Sequence, residues 1–273
     1  MDLAHEQYVT ELQGQLREAQ AQLTLYAKDL RRVWVREREH ARALHAATLQ
    51  LQAFAKDLRT SYEAEKRKSR ELEQAHYESL LRLTRAMRYK DDESAAHIER
   101  LSHYTKVIAQ HLGLSTQDAE LIAAAAPMHD VGKIGVPDVI LRKAGPLDDD
   151  EWKVMRNHAA LGASLLKGTP SSLLELAGQI ALTHHEQWNG TGYPQGLAGE
   201  EIPLAGRIVM LADQYDALRS VRPYKVAFTH EQTCDIILHG DGRTLPEHFE
   251  PRLLDVFHDV HPELRMIHSQ LND

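Results

Sequence analysis

The 273 residues carry 40 acidic and 32 basic side chains, a formal charge of −8, which opposes adhesion to nucleic acid polymers and to anionic membranes. The single cysteine, Cys234, excludes an internal disulfide and a zinc site built of thiolates. The opening "MDLAHEQYVT" lacks the basic start and apolar stretch of a secretory signal, and the longest near-apolar run, "LIAAAAPM" at 121–128, falls far short of the roughly 20 residues that cross a bilayer, so a cytoplasmic protein is expected.

After Gly14 neither glycine nor proline appears until Gly113, an uninterrupted helix signal. Every seventh position from Val9 reads Val9, Leu16, Leu23, Leu30, Glu37, Leu44, Leu51, Leu58, Glu65, Leu72, and the companion row includes Leu12, Tyr26, Val33 and Phe54. A 3.5-residue apolar period held this long predicts a coiled coil over residues 1–75, most simply a homodimer. Two layers of the seam are polar, Glu37 with His40 and Ser61 with Glu65 and Lys68; they fix register, and the second is placed to act as a weak joint. Leu25, Trp34, Val35 and Leu49 lie off the seam and offer a further contact surface, while "KRKSR" at 66–70 reads as a solvated face.

From about residue 76 the seam ends and the remainder, 76–273, reads as a bundle of five or more helices, making the chain all-α. "LG" at 112–113 closes a helix and "STQD" opens the next with a capping hydroxyl. "DDDEWKVMRNHAALGASLLKG", "SSLLELAGQIALTHHE" and "IPLAGRIVMLADQYDALRS" are expected as single helices, with loops around 132–148 and 187–204. The second loop holds Gly190, Gly192, Gly196 and Gly199, a sign of special backbone geometry.

Ligand-bearing side chains recur along this bundle. Glu93 and His97 stand at i and i+4, on one helix face. "MHDVGKIG" brings His129 and Asp130 together with Lys133 a turn later; His158, the doublet His184–His185 and Asp213 follow, with Asp216 able to share the face of Asp213. Adjacent helical residues point about 100° apart, so the doublet can address two ions but not easily the same position on one. Imidazole with carboxylate suits iron, manganese or zinc.

These segments resemble the HD-GYP subgroup of the HD-domain metal-dependent phosphohydrolases, through "ESAAH", "HDVGKIGVPD", "NHAALGASLL", "HHEQWNGTGYP" and "GRIVMLADQYDALRSVRPYK", over roughly residues 76–260. The resemblance implies an HD-type helical bundle that hydrolyses cyclic di-GMP to linear pGpG and on to GMP, with two or three divalent metal ions, iron or manganese. It implies Glu93, His97, His129, Asp130, His158, His184, His185 and Asp213 as metal ligands, with Asp130 and Lys133 catalytic. It places Gly192, Tyr193, Pro194, Arg222 and Lys225 around the dinucleotide, and it associates a third metal with Glu93. Asn189 stands where many members have aspartate, and "FEP" at 249–251 replaces a more usual "FDP". The coiled coil would carry a signal to or from a partner protein. The alternatives are a non-catalytic receptor for the dinucleotide and a hydrolase of a different cyclic dinucleotide.

Overall fold

The computed structural model describes residues 2–87, 94–168, 171–220 and 227–271. Contacts divide the chain into two compact units, Met1–Ala75 and His76–Asp273. Among the described residues no strand forms; Asn189 and Ala198 make an isolated antiparallel bridge. No described helix is long and apolar enough to cross a membrane.

The first unit is helical throughout, as part of α1 (Asp2–Met87). Its seam side chains, among them Leu16, Leu23, Leu30, Leu44, Leu51 and Leu58, are exposed, as are the off-seam Leu25, Trp34, Val35 and Leu49. A helix that leaves an apolar row in water lacks the packing from which helical stability mostly comes. The Arg38 guanidinium covers part of that surface, 5.0 Å from the Trp34 ring centroid.

The second unit contains α2 (Ala95–His111), α3 (Thr116–Ala125), α4 (Asp138–Leu141), α5 (Asp149–Arg156), α6 (His158–Leu166), α7 (Ser172–Thr183), α8 (Leu204–Arg219), α9 (His230–His239) and α10 (Pro251–Gln270). Side-chain caps set several of the starts. Ser94 accepts from the His97 amide, Ser115 from Asp118, and Asp148 with Glu151 and Thr229 with Gln232 form capping boxes. Gly113, at φ 85°, follows the end of α2. The Ser94 cap also divides what the sequence presents as one helical run from residue 76 to 112.

Helix α2 packs on α3, α8 and α10, α7 on α3, α6 and α8, and α9 on α8 and α10. Leu101, Tyr104, Ile108, Ile180, Ile208, Leu211, Tyr215, Ile237 and Phe257 are fully buried between them, each aliphatic chain contributing roughly 1.5–3 kcal/mol. Tyr215 lies at the middle, edge-on to Tyr104 and Phe257 at 5.3 and 5.8 Å.

One expectation needs correction. The run 148–168 is two helices, α5 and α6, parted at Asn157, whose amide bonds back three residues to Val154 at 3.2 Å and tightens the turn. The loops at 132–148 and 187–204 contain short helical turns at Val131–Gly135, Asp138–Leu141 and Gly199–Glu201.

Candidate metal centre

Seven sequence-predicted ligands come together in two groups, Asp130 with His158, His184 and His185, and His97 with His129 and Asp213; within each group the ligand atoms lie within 4.8 Å of one another. They arrive from α2, the turn after α3, the start of α6, the end of α7 and the middle of α8. Glu93, Arg222 and Lys225 lie outside the described residues.

Asp130 is the hub. Its carboxylate is 3.1 Å from His129 Nε2, 3.1 Å from His158 Nε2 and 3.5 Å from His184 Nε2. Lys133 Nζ lies 2.5 Å from Oδ2. Burial, the largest single influence, would push the Asp130 carboxyl up, but the Lys133 ammonium together with His129 and His158 outweighs it and holds the group well below the usual carboxylate range. Gly132 permits this turn to press on α6, because a Cβ there would stand 1.9 Å from the His158 carbonyl oxygen.

The imidazoles are aimed by their outer nitrogens. Nδ1 of His129 faces the Ala126 carbonyl at 3.0 Å, His158 that of Met155 at 2.8 Å, and His184 those of Ile180 and Ala181 at 3.1 and 3.0 Å. A carbonyl oxygen only accepts, so each Nδ1 carries the proton, and a neutral ring turns its Nε2 lone pair inward. His158 and His184 then bring two Nε2 atoms to 3.4 Å, beside a carboxylate that only accepts. Lone pairs and anionic oxygen converging this closely are a donor set for a cation, with the outer N–H bonds usual for metal-bound histidine. Burial lowers His184 and lowers His185 further, His184 adding to the second effect, so both rings are neutral at ordinary pH as ligation requires.

Both members of the doublet fall in one group: α7 ends at Thr183, His184 is the cap and His185 lies beyond it, with ring centroids 4.0 Å apart. Asp213 and Asp216 also separate. Asp213 Oδ1 lies 3.7 Å from His97 Nε2, whereas Asp216 accepts from His97 Nδ1 at 2.8 Å and from Arg100 Nε and Nη2 at 2.7 and 2.8 Å. Burial would raise the Asp216 carboxyl, but these hydrogen bonds hold it below its ordinary range.

The glycine-rich loop closes one side. Tyr193 stacks on His185 at 4.6 Å and its amide donates to the His185 carbonyl at 3.1 Å. Buried Glu186 clamps the loop, accepting from the Gln195 and Leu197 amides at 2.7 and 3.0 Å. Gly192 leaves no room for a side chain, since a Cβ would lie 2.3 Å from the Gln187 amide nitrogen. The Tyr193–Pro194 peptide is cis. Burial raises the Tyr193 phenol, which stays protonated as a donor. The departures from the family pattern find partners: Asn189 Oδ1 accepts from the Thr191 amide at 3.1 Å, and Glu250 of "FEP" pairs with Arg207 at 2.5 Å.

Arg100, Glu186 and Arg156 are site residues that sequence reasoning missed. Arg156 is exposed, with its guanidinium 5.2 Å from the Tyr193 ring centroid and 5.7 Å from that of Trp152. The available signals were positional: Arg100 follows His97 by one helical turn, Glu186 adjoins the doublet, and Arg156 precedes His158 by two residues.

The HD domain family is matched over residues 75–245. The cyclic di-GMP phosphodiesterase response regulator RpfG of Xanthomonas campestris pv. campestris (strain 8004) is 42% identical over 202 residues, 74% of this chain and 52% of the relative. A cyclic di-GMP phosphodiesterase of Vibrio cholerae serotype O1 is 41% identical over 217 residues, 74% of this chain and 43% of the relative. The 3'3'-cGAMP-specific phosphodiesterase 2 of the same organism is 38% identical over 203 residues, covering 74% and 38%. The crystal structure of a V. cholerae cyclic GMP-AMP-specific phosphodiesterase (V-cGAP3) superposes with a TM-score of 0.52 at 19% identity, over 72% of this chain and 51% of that one, a likeness of fold. The chain spans about half the length, or less, of these curated relatives. Family match, motifs and converging ligands agree: the chain belongs to the HD domain family, in its HD-GYP subgroup of metal-dependent phosphohydrolases.

Proposed function

We propose that the protein is a cytoplasmic phosphodiesterase that linearises cyclic di-GMP to pGpG and carries it on to GMP. The observation that carries this reading is the convergence of seven imidazole and carboxylate ligands in two adjoining groups. Those residues would hold two ions, iron or manganese by their nitrogen and oxygen character, and Glu93 a third. When bound, the cations supply Lewis acidity, neutralising a phosphodiester and making water acidic enough to attack near neutral pH. Lys133, fixed against Asp130, adds a positive charge for a phosphate oxygen. Tyr193, stacked on His185, presents a protonated hydroxyl or a ring face to the dinucleotide beside Gly192 and Pro194, and Arg222 and Lys225 bring phosphate-binding charge. The exposed apolar seam of α1 supports a parallel or antiparallel homodimer through which a partner signal reaches the bundle.

The test is turnover by anaerobically prepared protein loaded separately with iron and manganese, with products separated and 3'3'-cGAMP included as a substrate. Formation of pGpG that stops on chelation and in Asp130→Ala is expected. Binding of cyclic di-GMP without turnover under either metal would leave a receptor, and preferential hydrolysis of 3'3'-cGAMP would reassign the substrate.

A further inference from the structure

Helix α9 carries a second group of donors, none of them assigned to the centre around Asp130. His230 and Cys234 stand four apart on α9, one above the other, and His261 faces them from α10. Cys234 Sγ is 3.6 Å from His230 Nε2, and His230 Nε2 is 3.0 Å from His261 Nδ1. All three ligand atoms fall within 4.8 Å of one another. Around a tetrahedral ion with ordinary zinc bond lengths, two imidazole nitrogens lie about 3.3 Å apart and nitrogen and sulfur about 3.6 Å apart. The two spacings made by His230 Nε2 match to a few tenths of an ångström.

From this geometry we propose that His230, Cys234 and His261 bind a divalent cation of zinc type, with a fourth position open to solvent. His230 and Cys234 are buried, while His261 is partly exposed and gives the ion its way in. His230 is steadied from behind, with Nδ1 2.9 Å from the hydroxyl of buried Tyr215. Without metal the atoms fit a hydrogen-bond chain, the Tyr215 hydroxyl donating to Nδ1 and Nε2–H donating to His261. Loading moves the His230 proton to Nδ1, where it faces the Tyr215 oxygen. It also releases the thiol proton to solvent as the metal–sulfur bond forms. One thiolate and two imidazoles with no carboxylate select a softer ion than does the aspartate-bearing centre.

Because Cys234 is the only cysteine in the chain, thiolate-to-metal absorption from the protein can arise nowhere else. Full-length protein is stripped with a chelator and titrated with Co(II) under anaerobic, reducing conditions. A thiolate-to-cobalt charge-transfer band in the near ultraviolet is expected to rise to saturation, to persist in Asp130→Ala, and to disappear in His261→Ala and Cys234→Ser. Absence of the band in the unaltered protein at saturating Co(II), or a band that survives His261→Ala, would overturn the site. The readout is independent of catalysis, so it stands or falls apart from the phosphodiesterase reading.

Discussion

Asp216 Oδ2 lies 2.8 Å from His97 Nδ1, with both groups buried, so the carboxylate fixes the ring whose other nitrogen faces Asp213. The same carboxylate takes two hydrogen bonds from Arg100, which is also buried. Asp216→Ala takes this carboxylate away from the buried guanidinium, and a loss of about 3–5 kcal/mol is expected in urea unfolding. Asp216→Asn keeps the shape and is expected to weaken metal binding by about 10–100-fold in chelator competition.

Asp130→Ala removes the acceptor that approaches His129, His158, His184 and Lys133. The expected result is loss of metal retained after desalting, measured by elemental analysis, together with loss of turnover. A variant that keeps its full metal content would separate Asp130 from ligation.

Gly132→Ala places a methyl carbon against the His158 carbonyl oxygen and 2.4 Å from the Gly162 nitrogen, both backbone atoms that cannot step aside. A loss of about 1–3 kcal/mol is expected, read as a fall in Tm of about 2–4 °C per kcal/mol. Gly14→Ala is the control. It has open space around the new carbon within a long helix, and is expected to hold or raise helicity by circular dichroism.

Arg156 stands over Tyr193 on the exposed side of the centre, where a dinucleotide phosphate or guanine edge would pass. In Arg156→Ala a rise in KM of about tenfold is expected, the worth of roughly one charge-assisted contact, with kcat and metal content unchanged. A fall in kcat at constant KM would assign the residue a different role.

Metal-free protein is expected to lose stability as the pH falls below 6.5. Burial lowers His184 and His185, and burial with the charge of His261 lowers His230 to about 4. Each ring takes up a proton in the unfolded chain before it does in the folded one, so the unfolded state gains on acidification through this window. Urea midpoints between pH 7 and pH 4 check the sign, and saturating metal at neutral pH should raise the unfolding free energy by about 2.7 kcal/mol at a hundredfold excess over Kd.

The converging side chains were legible because each member sits in a short motif, and the long helix because neither glycine nor proline follows Gly14 within it. Three features were not. The break at Asn157 depends on a backbone bond to Val154 that leaves no composition signature. The division of labour between Asp213 and Asp216, three residues apart on α8, is decided by where Arg100 arrives from α2. The shared grouping of His184 and His185 goes with a helix that ends at Thr183, three residues short of the expected end at Glu186. In each case the deciding partner is distant in sequence or is main chain, and neither registers in a side-chain pattern.

His129, His158 and His184 each lean on a carbonyl three or four residues upstream in their own turn of chain. The bearing of these rings is therefore written locally, like a sight fixed to its own barrel. Repacking elsewhere in the bundle can loosen the mounting of the turns without rotating the imidazoles upon them, which leaves the interior of the protein free to drift while its grip on a cation endures.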